Sequence, residues 1–282
     1  MNAITRVFND AVSGNLTLML DLDGATVYRQ PGIHDPVAPE DKFEADLIRL
    51  MDSGCTVVIN TGRPEKFVQN LFPKITAPNA KYPFWLVTET GARIRKPDQT
   101  MLFEKGVPNI ENVRDQLKKA VDAYPGAMVE DHKMCAITVS LAAADDKRGA
   151  YSHMLTVCND LAAATDGVDI IPVYKPDDAY IEIVPAHIHK GTAAEAVLDA
   201  GSLNTTTILC FGDSNADENM MVVTNDRGGY SFGVGTKAPE IAQIRLTDYK
   251  TSQELIGHLA DLSTAKSTPD QVRAALPMNL TI

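Results

Sequence analysis

The sequence predicts an α/β protein with a doubly wound, parallel, Rossmann-like core and an inserted α/β cap domain. Three observations carry that expectation. Short apolar strands alternate with amphipathic helices over the first third of the chain, the pattern of right-handed βαβ crossovers. Between about Gln99 and Pro185 the alternation gives way to closely spaced strand pairs, which favour antiparallel pairing. From Lys190 onward the strand and helix alternation resumes.

Taken in order, Thr17 to Leu20 is an apolar run of the kind buried in parallel sheets, and it ends abruptly at Asp21-Leu22-Asp23-Gly24. A loop through Pro31, Gly32, Pro36 and Pro39 leads to a helix from about Glu40 to Ser53, with Phe43, Leu47, Leu50 and Met51 on one face and Gly54 after its end. Cys55 to Asn60 is a second strand, Thr61-Gly62-Arg63-Pro64 a tight turn, and Glu65 to Phe72 a helix opening just after Pro64. Phe84 to Thr88 is a third strand. The insert reads as a helix (Asn109 to Ala123), two strands (Ala127 to Glu130, Cys135 to Leu141), a helix (Asp146 to Ala164) and two strands (Val168 to Tyr174, Tyr180 to Val184), an αββ unit occurring twice. After it come a helix from Lys190 to Ala200, a strand from Thr206 to Phe211, a helix from Ala216 to Val223, strands Tyr230 to Val234 and Ile244 to Leu246, and a helix from Ser252 to Leu262. The tail from Ser267, with Pro269 and Pro277, carries no assignment. The core is therefore expected at about 1–98 and 187–282, and the cap at about 99–186.

Composition narrows the function. The chain has 282 residues, 44% hydrophobic and 22% charged, which is ordinary for a soluble globular protein. A net charge of -11 with no Lys/Arg run argues against nucleic acid as a partner, because phosphate-backbone binding needs a basic surface. No stretch reaches the roughly 18 apolar residues of a membrane span, and 1–14 lacks the apolar segment of an export signal. Cys55, Cys135, Cys158 and Cys210 are widely spaced without paired metal-ligand spacing, which favours reduced core cysteines and a cytoplasmic location.

Four segments concentrate chemistry at strand ends. Asp21 and Asp23 can face one pocket at the carboxyl edge of the sheet, where open α/β sheets bind ligands, and like charges so close need a cation or a shared proton. Thr61 and the N-H groups of its turn can hold an anion or cap a helix. Lys190 sits at a helix start, where a cation is unfavourable beside the positive end of the dipole, so a functional reason is invited. In Gly212-Asp213-Ser214-Asn215-Ala216-Asp217, Asp213 and Asp217 stand four residues apart across a strand-to-helix turn, an oxygen-rich arrangement suited to Mg²⁺ or to capping the helix.

Together, in this order, Asp21 to Gly24, Thr61, Lys190 and Gly212 to Asp217 resemble the four motifs of the haloacid dehalogenase-like phosphatase superfamily. The insert looks like the α/β cap of its sugar-phosphatase branch. Val129-Glu130-Asp131 and Ile181-Glu182-Ile183-Val184-Pro185, just before Lys190-Gly191, are similar to trehalose-6-phosphate phosphatases. The resemblance implies an enzyme acting on a small phosphorylated sugar, with cap closure excluding water. Asp21 would be the nucleophile and Asp23 the general acid and base. Mg²⁺ would be held by the Asp21 carboxylate, the Asp23 carbonyl and Asp213, with Asp217 supporting the metal or positioning Lys190. Lys190 and Thr61 would hold the phosphoryl oxygens. Arg63 is placed to approach an anion, and Glu130, Lys133 and Glu182 to reach sugar hydroxyls, whereas His187 and His189 read as structural.

Two departures stand out. Ala25 replaces the usual Thr after the first-motif glycine, with Thr26 next to it. In the trehalose-type pattern Lys follows Glu-Asp directly and a His-Tyr-Arg triplet follows later. Here His132 intervenes before Lys133, and Val139-Ser140-Leu141 takes the triplet's place. Another phosphosugar phosphatase, a phosphosugar mutase, and a catalytically weak sugar-phosphate-binding protein are the competing expectations.

Overall fold

Leu16, Leu18, Met19 and Leu20 have no exposed surface, and the strand they form lies in the middle of a parallel sheet. Burying each such side chain contributes about 1.5–3 kcal/mol, which is why this run anchors the core. The computed structural model describes residues 3–28, 40–175, 178–203, 206–265, 268 and 270. Along the chain these are α1 (Ala3–Val12), β1 (Leu16–Leu20), α2 (Asp41–Asp52), β2 (Thr56–Asn60), α3 (Glu65–Leu71), β3 (Phe84–Thr88), β4 (Arg93–Arg95), β5 (Met101–Glu104), α4 (Ile110–Val121), β6 (Met128–Val129), β7 (Ile137–Ser140), α5 (Lys147–Ala163), β8 (Val168–Lys175), β9 (Asp178–Pro185), α6 (Lys190–Ala200), β10 (Thr207–Gly212), α7 (Glu218–Asp226), β11 (Tyr230–Val234), β12 (Ile244–Leu246) and α8 (Tyr249–Ser263).

Among the described residues the larger sheet has eight strands in the order β12-β11-β10-β1-β2-β3-β4-β5. The strands from β12 to β3 are parallel, and β4 pairs antiparallel to β3 through Leu86 with Arg95 and Thr88 with Arg93. β1 lies between β10 and β2, so the chain leaves it in one direction for β2 and returns on its other side at β10. That reversal creates a crevice at the carboxyl ends of β1 and β10, the place where such sheets bind ligands. Phe8, Phe43, Phe72, Phe211, Phe232 and Ile256 belong to the core of this unit.

A second compact unit covers Phe103–Ile188. Its sheet has the order β6-β7-β9-β8 and is antiparallel throughout. Val113, Leu117 and Val121 of α4 and Ala150, Met154 and Cys158 of α5 pack with Ile137, Val139, Ala179, Ile181 and Ile183. Side chains alternate along a strand, so Thr138, Ser140, Tyr180 and Glu182 occupy the opposite face.

The elements follow the sequence reading closely, with four differences. α1 falls within a segment that the sequence left unassigned. β4 and β5 also escaped it, because three or four residues are too few for a period to show. β6 retains only two residues of its expected strand. Asn215–Asp217 forms a separate 3-10 turn before α7. The loop through Pro31, Gly32, Pro36 and Pro39 lies outside the described residues, as does the tail from Ser267 apart from 268 and 270.

Candidate active site

Asp21 is the first residue past β1, and its N-H extends the β1–β10 ladder by donating to the Phe211 carbonyl at 3.0 Å. The chain then folds back on itself: the N-H groups of Ala25, Thr26 and Val27 all point to the Leu22 carbonyl at 2.9–3.2 Å. Gly24 makes this turn possible. It adopts φ +84°, and a Cβ there would lie 2.8 Å from Oδ2 of Asp213. Ala25 is fully buried, and the hydroxyl of Thr26 donates to the Asp21 carbonyl at 2.5 Å. Thr26 therefore ties the turn to the backbone of Asp21.

Lys190 is the first residue of α6, where the helix dipole gives it no support. Its neighbour His189 caps the helix, accepting the Thr192 N-H on Nδ1 at 3.2 Å, which gives that histidine the structural role expected of it. The Lys190 ammonium is buried and donates to Oδ1 of Asp21 and Oδ1 of Asp217, each at 2.6 Å. Burial works against its charge, but attraction to Asp21 and Asp217 outweighs burial and raises its pKa. Burial first, then the Asp217 charge, pushes the Asp21 carboxyl well above the usual carboxylate range, against the lowering influence of Lys190.

Asp217 is fully buried, and both of its oxygens are engaged. Oδ2 accepts the N-H groups of Asp213 and Ser214, each at 3.1 Å, and the Ser214 hydroxyl at 3.3 Å, while Oδ1 accepts from Lys190. Gly212 permits this closeness, because a Cβ there would run into the Asp217 side chain. These bonds show Asp217 holding Lys190, one of the two roles open to it from sequence.

Carboxylate oxygens of Asp21, Asp213 and Asp217 lie within 4.8 Å of one another. All three donors are hard oxygens. Three carboxylates and one ammonium leave an excess of two negative charges when all are ionised, which fits a divalent cation such as Mg²⁺.

The carboxylate of Asp23 is not part of that cluster. It accepts two parallel bonds from Arg63, from Nε to Oδ2 and Nη2 to Oδ1, both 2.7 Å, and the guanidinium lies 4.6 Å from the centre of the Phe67 ring. Arg63, expected to face an anionic ligand, therefore meets the expected general acid. Thr61 is buried, and its hydroxyl accepts the Arg63 N-H at 3.2 Å. Beside it, Glu89 and Thr90 hold φ of +53° and +61° and precede Gly91 at +102°, an uncommon run for side-chain-bearing residues. The Thr90 N-H reaches the Thr61 carbonyl and the Glu89 N-H the Arg63 carbonyl, so this strained turn props the Thr61-Gly62-Arg63 turn.

In the second unit, Lys133 is buried and donates to Oε1 of Glu182 at 2.5 Å and to the Thr138 hydroxyl at 2.6 Å. Arg114 steadies the loop by donating to the Lys133 carbonyl at 2.7 Å, and Lys118 pairs with Asp131 at 2.6 Å. His132 lies in that loop, and Lys133 after it pairs with Glu182. Glu130 is half-buried, with its N-H on the Thr138 carbonyl. His187 donates its N-H to Asp169.

Known proteins resemble the chain in sequence and in architecture. The trehalose-phosphatase family profile matches residues 19–254. A probable trehalose-phosphate phosphatase of Sinorhizobium fredii is 26% identical over 250 residues, 88% of each chain. The C-terminal domain of the C. albicans trehalose-6-phosphate phosphatase superposes with a TM-score of 0.70 at 20% identity, covering 92% of this chain and 96% of that one. A haloacid dehalogenase-like hydrolase from Bacteroides thetaiotaomicron does so with a TM-score of 0.59 at 14% identity, over 85% and 97% of the two chains. Matched from the end of β1 into α8, the chain belongs to the trehalose-phosphatase family and is a phosphatase with the haloacid dehalogenase-like fold.

Proposed function

We propose that the protein is a Mg²⁺-dependent phosphomonoesterase that hydrolyses trehalose 6-phosphate through a phosphoryl group carried on Asp21. The observation that carries this reading is the buried ammonium of Lys190, 2.6 Å from both Asp21, just past β1, and Asp217, in the turn between β10 and α7. An ammonium placed there can hold a phosphoryl oxygen while leaving Asp21 aligned for attack. The Asp21 carboxylate forms a bond to phosphorus as the bond from phosphorus to the sugar oxygen breaks, and Asp23 gives that oxygen a proton. Water then attacks phosphorus and loses its proton to Asp23, releasing inorganic phosphate and restoring Asp21. Lys190 and the Thr61 hydroxyl hold the phosphoryl oxygens in both steps. Asp21, Asp213 and the Asp23 carbonyl would bind Mg²⁺, which when bound would neutralise phosphate charge and align the phosphoryl group. Asp217 acts on the site by holding Lys190. Asp23 serves as acid and base only after exchanging at least one of its bonds from Arg63.

Recognition of the sugar is assigned to Lys133, Glu182 and Glu130 by chemistry, since an ammonium and carboxylates suit hydroxyl groups that both donate and accept. The four cysteines are buried thiols outside any disulfide, which supports a reducing, cytoplasmic setting. Phosphate release from a panel of phosphorylated sugars with Mg²⁺ tests the reading. Wild type should prefer trehalose 6-phosphate, and Asp21→Asn should lose turnover by orders of magnitude while keeping its fold. Wild-type-like turnover in Asp21→Asn would refute it.

A further inference from the structure

Asn60 is a polar residue closing an otherwise apolar strand end, Val57-Val58-Ile59-Asn60, and it has no exposed surface. Its amide nitrogen donates to the Lys190 carbonyl at 2.9 Å and approaches Sδ of Met220 at 3.5 Å. One NH₂ group thus reaches α6, at the residue that carries the site's ammonium, and α7, which begins immediately after Asp217. Its Oδ1 is buried with no hydrogen-bond partner among the described residues. An unpaired buried carbonyl oxygen is destabilising, and leucine would fill a similar volume without that penalty. The Lys190 carbonyl does not depend on Asn60 for its own satisfaction, because a carbonyl in a helix's first turn accepts from the N-H four residues on. Stability alone therefore gives little reason for an amide at this position, and its geometry supplies a different one.

We infer that Asn60 is a positioning residue: its amide ties the start of α6 to the end of β2 and so sets where the Lys190 ammonium stands relative to Asp21, Asp217 and Thr61. The close approach of α6 to α7 fits this arrangement. A Cβ on Gly191 would lie 2.8 Å from the Asn219 carbonyl oxygen, so α6 has little room to move toward α7. The Asn60 bond tethers the start of α6 to β2. The contacts at stake are short, and a displacement of about 1 Å at a catalytic group can lower a rate by about 10²-fold.

The inference rests on the phosphatase reading for the role of Lys190, and its test separates the two. In Asn60→Leu, the melting temperature should stay level or rise, kcat for trehalose 6-phosphate should fall about 10- to 100-fold, and KM should change by less than about threefold. Added to Lys190→Ala, the same substitution should produce no further loss, because the lysine through which it acts is gone. Met220→Leu, which removes the sulfur contact and leaves the bond to Lys190, should match wild type. Asn60→Ser, whose hydroxyl is too short to reach the Lys190 carbonyl, should show the same loss of kcat and serves if the leucine variant does not fold. A wild-type kcat in either Asn60 variant, or a loss that repeats in full in the Lys190→Ala background, overturns the inference alone. Absence of phosphate release by the wild type overturns the phosphatase reading and the inference with it.

Discussion

Asp217→Asn keeps the shape of the side chain and changes two things at once. Oδ2 faces the N-H groups of Asp213 and Ser214, and Oδ1 faces the Lys190 ammonium, so every neighbour bonded to this carboxylate donates to it. An asparagine must turn its own NH₂ toward one of these two sets. With the NH₂ toward Lys190, two donors oppose one another in a buried site; with it toward the loop, two backbone donors lose their acceptor. Leaving one partner of a buried ion pair uncompensated costs about 3–5 kcal/mol. Lys190 keeps Asp21 as its second acceptor, which places the expected loss at the lower end of that range. At about 2–4 °C per kcal/mol for a chain of this size, the melting temperature should drop by about 6–12 °C. Freed from one of its two anchors, Lys190 should also lower kcat by about 10²-fold or more. Calorimetry and phosphate release on the same preparation measure both effects. A melting temperature within about 2 °C of wild type with kcat within about twofold would refute the reasoning.

Gly24→Ala places a Cβ 2.8 Å from Oδ2 of Asp213 at a positive φ, so it should cost about 1–2 kcal/mol in backbone strain and shift the Mg²⁺ dependence of activity to higher concentration; an unchanged Mg²⁺ titration counts against the assigned cradle. Arg63→Met should lower stability to denaturant by about 1–3 kcal/mol through loss of the two bonds to Asp23, and an unchanged urea midpoint would contradict that pairing. Lys133→Met should raise KM for trehalose 6-phosphate about tenfold or more while leaving hydrolysis of p-nitrophenyl phosphate, which has no sugar, unaltered. Equal effects on both substrates would remove Lys133 from sugar recognition.

Where a single segment carried its own signal, the sequence could be read directly. The apolar run before Asp21 and Asp23, the β-branched run before Thr61 and the run before Asp213 each end in polar residues, and those ends lie at the carboxyl edge of one sheet. Lys190 showed itself by being misplaced against the helix dipole, and it proved to be buried between two acids. Features that depend on two distant segments were not legible. Arg63 and Asp23 belong to turns after different strands, and nothing local to either says that they pair. Asp217 was open to serving the metal or the lysine, and only the structure shows its oxygens bonded to Lys190, Asp213 and Ser214. Asn60 did carry a signal, an amide ending a β-branched strand, but that is equally the pattern of an ordinary turn. The positive φ at Glu89 and Thr90 could not be anticipated, because both residue types disfavour it and surrounding contacts impose it. In the second unit, the bond between Lys133 and Glu182 was not legible either, because it joins a loop to a strand 49 residues further along the chain.

Covalent capture of the phosphoryl group speaks to the chemistry with the least intervening inference. Acid quenching during turnover of trehalose 6-phosphate with Mg²⁺, followed by peptide mass spectrometry, should find one base-labile phosphoryl group on the peptide containing Asp21. It should be missing when Mg²⁺ is chelated and missing in Asp21→Asn. Phosphate released at the full rate with the label on a different residue would contradict the assignment of Asp21 as nucleophile.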